Sequence, residues 1–173
     1  MSLSLYEATV PAFLQTIIPI KGLISKAEQF CNEKGVAQDA LCNTSLAPDM
    51  WPFAKQVTSV CQHSAGAIAA VMSGETGPDM QPAPTTFAGL IERLDQAIAA
   101  LQAITPEQIE AVAGNDVCFR IGDRSLDFTA RDYLTGFAMP NFYFHAAMAY
   151  AVLRNQGADV GKRDFLGAVP TKG

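Results

Sequence analysis

The sequence lacks both an excess of basic residues and an apolar run long enough to cross a membrane. Its 173 residues include 12 lysines and arginines against 17 aspartates and glutamates, a net charge of -5. An acidic chain argues against nucleic acid and anionic membrane surfaces as partners, because both bind basic side chains. Lys21, Lys26 and Glu28 interrupt the first hydrophobic region before it reaches the roughly 18 residues of a membrane span. We therefore expect a cytoplasmic protein that binds neither nucleic acid nor membrane.

Sequence motifs for common metal and catalytic sites are also absent. No two cysteines form a C-x-x-C pair, which argues against a zinc knuckle or a redox motif. We expect reduced, structural thiols. His63 and Ser64 are neighbours on a predicted helix, where adjacent side chains diverge, so they do not form a nucleophile and base pair. The four cysteines are Cys31, Cys42, Cys61 and Cys118.

Apolar residues at helical spacing are abundant, and the first such stripe is the longest. Ser4 and Glu7 form a capping box, which predicts that a helix begins at the start of this stripe. Gly35 predicts the end of that helix. Pro11 and Pro19 lie inside it, and each removes a helical hydrogen bond, so we expect a kink or a break one turn before each proline.

Two further stripes predict the second and third long helices. The second stripe begins at Phe53, after a predicted cap at Asp49, and ends before Gly74. Helix breakers without periodicity fill residues 74–84, which predicts an irregular surface connection. The third stripe begins at Thr85 or Thr86 and matches the helical template at every step.

One short stretch alternates as a strand does. Val117, Phe119 and Ile121 are separated by single residues, and Gly122-Asp123 predicts a turn after them. We expect a small β-hairpin there. A cap at Thr129–Asp132 predicts the start of the last helix.

The four stripes together predict an all-α fold in which each helix buries one face in a shared core. With 49% hydrophobic residues, the chain can form one domain over residues 1–173. The last helix is expected to stop near Gly157, and residues 158–173 to form an irregular C-terminal tail.

Three motifs and the opening of the chain carry a family resemblance over nearly its whole length. With them, the chain resembles the bacterial domain-of-unknown-function family DUF1993, which is grouped with the DinB/YfiT-like bundles. The resemblance implies an up-down-down-up four-helix bundle, a homodimer and, in better-understood relatives, a divalent metal held by three histidines. It implies no activity. The motifs are Leu46–Met50 with Pro52 and Gln56, Ala138–Phe142 with His145, Gly161–Gly167, and the opening Ser2–Tyr6 with Val10-Pro11.

The chain departs from the metal pattern of those relatives. The corresponding residues look like Gln56, Asn141 and His145, so one ligand of three is an imidazole. Amide oxygens bind zinc or nickel weakly beside imidazole, so we expect a degenerate metal site that survives as a polar pocket. His63 lies seven residues, roughly 10 Å, beyond Gln56 and is expected to flank the apolar stripe, partly exposed. A helix offset that turned His63 toward His145 would instead allow a two-histidine site completed by a carboxylate such as Asp49.

The aromatic run Phe142-Tyr143-Phe144 covers too much of a helix circumference for one intramolecular core. We expect part of it to lie in a subunit interface or to line a pocket.

Three functions are compatible with these features. The first is a homodimeric protein that binds a small ligand or a partner at Gln56, Asn141 and His145. The alternative is a metal-dependent DinB-like enzyme of the thiol-transferase or hydrolase type, in which zinc or nickel would activate a thiol or water. A third is an adaptor that uses the acidic surface and the loop from Gly74 to Pro84.

Overall fold

The elements of the fold follow the apolar stripes of the sequence. The computed structural model describes residues 3–172. The second and fourth long helices each contain one wider π-helical turn, and each of their parts has its own label. The elements in chain order are α1 (Leu5–Lys34), α2 (Gln38–Cys42), α3 (Phe53–Cys61), π1 (Gln62–Gly66), α4 (Ala67–Ser73), β1 (Glu75–Thr76), α5 (Phe87–Gln102), α6 (Pro106–Val112), β2 (Asp116–Ile121), β3 (Arg124–Thr129), α7 (Ala130–Asp132), π2 (Tyr133–Ala138), α8 (Met139–Gln156) and α9 (Lys162–Leu166).

Four long helices form the bundle. Both α1 and α3 pack against α5 and α8, whereas α1 and α3 touch each other only slightly, so they occupy opposite corners. The predicted helical fold is therefore confirmed, with a small sheet beside it. The up-down-down-up order of the helices stays a prediction.

Helix α1 begins and ends where its sequence predicts. The reciprocal hydrogen bonds of Ser4 and Glu7 form the capping box, and Gly35 closes the helix in the left-handed conformation with φ 66°. The helix runs through Pro11 and Pro19 without a break, so of the two predicted outcomes the break is wrong and the kink stays a prediction. Buried residues precede and follow each proline, and this tertiary packing holds the helix together where hydrogen bonds are lost.

The same helix has the length and mean hydropathy of a membrane span, so the prediction that charged residues interrupt this region too early for a span is wrong. Its apolar side chains serve another purpose, because they fill the centre of the bundle. Phe13, Ile17, Ile20 and Ile24 are completely buried there. The long apolar stretch of α1 is therefore explained by its packing in the core of the bundle.

The predicted hairpin is confirmed, and it belongs to a three-stranded sheet. Strands β2 and β3 are antiparallel and join through Gly122, whose φ is 55°. Strand β1 pairs with β2 in parallel, with Glu75 opposite Cys118 and Thr76 opposite Phe119. The connection at 74–84 was predicted to be irregular. That prediction is wrong for Glu75 and Thr76, which form strand β1. A two-residue strand has no periodicity from which it could be predicted.

The predicted cap at Asp49 is wrong. Helix α3 starts at Phe53, with Pro52 at the N-cap in an extended conformation and no side chain that caps it. Asp49 lies in the preceding turn, too far upstream to reach the first free N–H groups of α3.

The C-terminal tail is more ordered than predicted. Helix α9 lies within residues 158–173 and packs along α1. Lys26 Nζ lies 2.8 Å from Asp164 Oδ1 and donates to the carbonyl of Asp159 at 3.0 Å. The backbone of Gly167 lies so close to Pro19 that a Cβ at this position would stand 2.3 Å from the proline ring. Long-range contacts thus order a segment that has no helical stripe.

The four cysteines form no disulfide in the structure, and Cys31 and Cys42 are buried. Burial raises the pKa of the Cys42 thiol to about 11 and that of Cys61 to about 12. These thiols stay protonated at neutral pH and act as apolar core groups.

Gly35, which caps the C-terminus of α1, and Gly22, which lies within the helix, allow a matched test of how α1 ends. Gly35→Ala should lower the free energy of unfolding by about 1 kcal/mol, because alanine is strained at a positive φ. Gly22→Ala should raise it by about 0.5 to 1 kcal/mol, since Gly22 is exposed within the helix and a Cβ there meets no atom within 4 Å. Urea unfolding of both variants checks this, and an equal effect at the two positions would contradict it.

Candidate functional site

A glutamine amide connects the start of α3 to the middle of α8. Gln56 Nε2 donates to the carbonyl of Trp51 at 3.0 Å, and Gln56 Oε1 lies 2.7 Å from His145 Nδ1. Because the amide nitrogen is committed to a carbonyl, the amide oxygen must accept from the ring. Nδ1 of His145 therefore carries the proton, and Nε2 is left with a lone pair.

Three flat rings stand in a row beside this amide. The rings of Trp51 and His145 are nearly parallel, at 10°, with centroids 5.4 Å apart. The His145 and His63 rings are also nearly parallel, at 12°, and again 5.4 Å apart. Phe137 meets the His63 ring edge-on at 6.0 Å. The structure thus brings His63 to His145, as the helix offset considered for the sequence required.

His63 is partly exposed, as expected from the sequence. Its Nδ1 is buried and has no hydrogen-bond partner among the described residues. Segment π1 begins one residue before His63, and the packing of α3 and π1 against α8 brings this ring to His145. Ser64 Oγ donates to the carbonyl of Val60 at 2.7 Å. This bond satisfies a carbonyl whose regular helical hydrogen bond is disturbed by the π turn.

A second wide turn lies on the facing helix. Segment π2 carries Phe137, which packs against Phe119, Phe128 and Tyr133. Single π turns inside α-helices are rare and concentrate at functional sites. Both of those in the described part of the chain contribute side chains to one cavity.

That cavity has a volume of 210 Å³ and lies between the bundle and the sheet. Aromatic and aliphatic side chains supply much of its wall, and the imidazoles and the Asn141 amide supply polar groups. A second cavity of 370 Å³, which Asp49 and Phe144 help to line, lies beside it. Trp51, Asn141 and His145 border both cavities.

We call the loop from Gly77 to Gln81 the roof loop, and its first three residues line the 210 Å³ cavity. Lys55 Nζ donates to the carbonyl of Asp79 at 2.7 Å and lies 3.6 Å from its carboxylate. The same ammonium group lies 5.6 Å from the centroid of the Trp51 ring. Gln62 Nε2 donates to the carbonyl of Gly77 at 3.3 Å. Side chains of α3 and π1 therefore hold the roof loop in place.

Both imidazoles are neutral at physiological pH. Burial lowers the pKa of His63 to about 4. Burial also lowers the pKa of His145 to about 4, with smaller contributions from His63 and Lys55. The site offers uncharged ring nitrogens.

The predicted site residues come together, although they do not form the expected ligand set. Gln56 holds His145 with the oxygen that would have bound a metal. Asn141 donates its amide nitrogen to the carbonyl of Phe137 at 2.7 Å. No three histidine, cysteine, aspartate or glutamate side chains within residues 3–172 are grouped to hold a metal ion. The donors present do not fit a three-histidine metal site.

Sequence reasoning missed Trp51, Lys55, Phe137 and the roof loop. Trp51 is the one tryptophan of the chain and directly precedes a predicted helix. This was the available signal, because a large ring at a helix entrance often packs over a neighbouring site. Nothing in the periodicity indicated the π turn that places Phe137.

The lowered histidine pKa values predict a pH-dependent stability. The unfolded chain binds more protons than the folded chain below a pH of about 6.5, so stability should fall as the pH falls toward 5, by up to about 1.4 kcal/mol per pH unit for each histidine. The chain has 2 histidines, so His63→Phe should remove about half of this slope. Urea unfolding of both proteins across this range measures it. Equal slopes would contradict the prediction.

Comparisons with known proteins agree with this fold. The model of the family described as "Domain of unknown function (DUF1993)" matches residues 5–166. A crystal structure of a DinB family member from Shewanella denitrificans is similar, with a TM-score of 0.82 and 29% sequence identity, over 98% of this chain and 95% of that chain. No curated protein matches the chain in sequence. The resemblance drawn from the sequence motifs is confirmed, and the chain belongs to the DUF1993 family.

Proposed function

We propose that this chain is an up-down-down-up bundle that binds a small organic ligand at the place where the sequence predicted a degenerate metal site. One observation carries the proposal. The buried Nδ1 of His63 has no partner within the described residues, and its ring lines a preformed cavity. A preformed, mostly apolar cavity with a few polar groups in its wall is the usual form of a small-molecule site.

The size and walls of the cavity support a small aromatic molecule. An engineered apolar cavity of about 150 Å³ is known to hold benzene, so 210 Å³ accepts one substituted ring. Phe119, Phe137 and Trp51 provide apolar surface for such a ring.

The metal-dependent enzyme of the thiol-transferase or hydrolase type is the second candidate. It is favoured by His145, whose protonated Nδ1 is held by an amide oxygen, as metal-binding histidines are oriented by a second hydrogen bond. The neutral His63 provides a second ring nitrogen. The lack of a third strong donor among the described residues argues against it.

A homodimer, cytoplasmic location, and the absence of nucleic-acid and membrane partners stay predictions. The dimer is supported by α8, where the side chains of Tyr143 and Phe144 are 38% and 51% exposed while Phe142 is buried. Half-exposed rings beside a cavity suit either a subunit contact or ligand entry.

Titration with toluene tests the ligand-binding proposal. Binding should change the fluorescence of Trp51 with one site and a dissociation constant of roughly 1 mM or tighter. Asn141→Phe should weaken this binding at least about tenfold, because Asn141 borders both cavities and a larger ring fills them.

Gln29→Phe is the matched control. It introduces the same side chain at a cavity of 250 Å³ that shares no lining residue with the two cavities beside Asn141, and should leave toluene binding unchanged. Toluene affinity that is equal in the wild type and Asn141→Phe would reject this cavity as the binding site.

Metal loading separates the two candidate functions. After metal-free purification and reloading, zinc and nickel should bind at well below one ion per chain, because imidazole donors are too few. Tight stoichiometric metal that His145→Ala abolishes, with the melting temperature nearly unchanged, would favour the enzyme instead.

A further inference from the structure

The roof loop is attached to the bundle mainly by polar contacts. Each of its residues is at least partly exposed, and its largest apolar side chain, Met80, is 83% exposed. Segments with few buried apolar contacts open more readily than the packed core around them. The polar contacts of the loop therefore decide how often it opens.

Lys55 makes most of the contacts to the middle of the loop. Its Nζ donates to the carbonyl of Asp79 at 2.7 Å and to that of Gln81 at 3.4 Å, and it lies 3.6 Å from the Asp79 carboxylate. The side chains of Lys55 and Asp79 are only 18% and 17% exposed, so solvent screens this ion pair less than a surface pair. Arg93 lies further away, at 4.0 Å from the same carboxylate.

The two ends of the loop are attached independently of Lys55. The backbone of Gly77 lies against β2, because a Cβ at this position would stand 2.9 Å from the carbonyl oxygen of Arg120. Gln62 Nε2 donates to the Gly77 carbonyl at 3.3 Å. Beyond the other end, α5 begins at Phe87, which is buried. The middle of the loop can therefore move while the sheet and the helices stay folded.

The loop also borders two cavities. A cavity of 410 Å³, lined by residues of α3, π1 and α5, shares Gln62 and Asp79 with the 210 Å³ cavity. Its lining residues Gln81, Gln96 and Ala100 are exposed, so it faces solvent. Displacement of Asp79 from Lys55 would connect this outer space to the inner cavity.

We propose that the roof loop is a gate through which a ligand enters and leaves the 210 Å³ cavity, and that Lys55 is the latch that keeps it closed. When the carbonyl and the carboxylate of Asp79 leave the ammonium group, the middle of the loop moves away and the 410 Å³ cavity becomes the route to solvent. This inference rests on the proposed ligand-binding function and adds how access to the site is controlled.

Limited proteolysis of the ligand-free full chain tests the latch. Thermolysin cuts before large apolar residues such as Met80, and the rate reports how often the chain around that bond opens. Lys55→Met keeps an unbranched side chain and removes the ammonium group. We expect it to speed cleavage before Met80 at least about tenfold, because hydrogen bonds from a charged donor are lost. Mass spectrometry of the fragments identifies the bond that is cut.

Two further variants make this result specific. Lys21→Met is the matched control, since Lys21 forms an exposed ion pair with Asp95 at 2.6 Å between α1 and α5, and it should change the rate less than about twofold. Asp79→Asn removes the charge of the loop, leaves Lys55 in place and should speed cleavage about threefold. If Lys55→Met unfolds the chain, Asp79→Asn decides the question. Cleavage before Met80 that is equally fast in the wild type and both variants would overturn the latch.

The kinetics of toluene exchange test the gate. NMR line shapes at several toluene concentrations give the association and dissociation rates of the wild type and of Lys55→Met. Both rates should rise at least about threefold in the variant, because opening of the loop serves entry and exit alike. Faster dissociation with unchanged or slower association would mean that Lys55 is an ordinary ligand contact, and would overturn the gate.

The outcomes separate this inference from the proposed function. If toluene does not bind to the wild type, the ligand-binding function fails and the gate with it, whereas cleavage before Met80 still decides whether Lys55 holds the loop. If toluene binds and Lys55→Met speeds cleavage without changing either exchange rate, the binding function stands and the gate is wrong.

Discussion

The hydrogen bonds of the Gln56 amide are the constraint on which the site depends. One side of the amide is held by the backbone just before α3, and the other holds the ring of His145 on α8. Each bond contributes only about 1 kcal/mol net, but breaking either would leave a buried polar group unpaired, which costs more. The amide is therefore locked in one orientation. That orientation decides which nitrogen of His145 has a lone pair, and so what the cavity can recognise.

The two π turns explain why the cavity exists at all. A bundle of regular helices packs its side chains densely and leaves few voids. Each wide turn adds a residue to the helix circumference and disturbs that packing locally. His63 of π1 and Phe137 of π2 line the same cavity, and strand β2 supplies Phe119 and Ile121 to its wall. Loss of regular hydrogen bonding is thus concentrated where it creates a binding space.

Sequence reasoning predicted the fold well because caps and apolar stripes are local signals. The positions of Gly35, Thr86 and Thr129 marked helix ends correctly, and alternation located the hairpin. It failed where tertiary contacts decide. Strand β1 exists through its pairing with β2, and α9 through its packing on α1, and neither has periodicity of its own.

The candidate site was predicted in part for the same reason. Family-like motifs located Gln56, Asn141 and His145, and these residues do share one region. The contact between His63 and His145 depends on the offset of α8 along α3 and π1, which no sequence pattern fixes. Its pairing with His145 was therefore open at the level of sequence, and so was the role of Gln56 as the group that holds His145.

The sheet gives this protein a way to change specificity during evolution. The hairpin turn at Gly122-Asp123 is exposed, whereas Phe119 and Ile121 of β2 line the cavity. Substitutions and length changes in the hairpin can therefore reshape one wall while the four helices keep their packing. Divergent members of such a family would be expected to share the bundle and differ in what they bind.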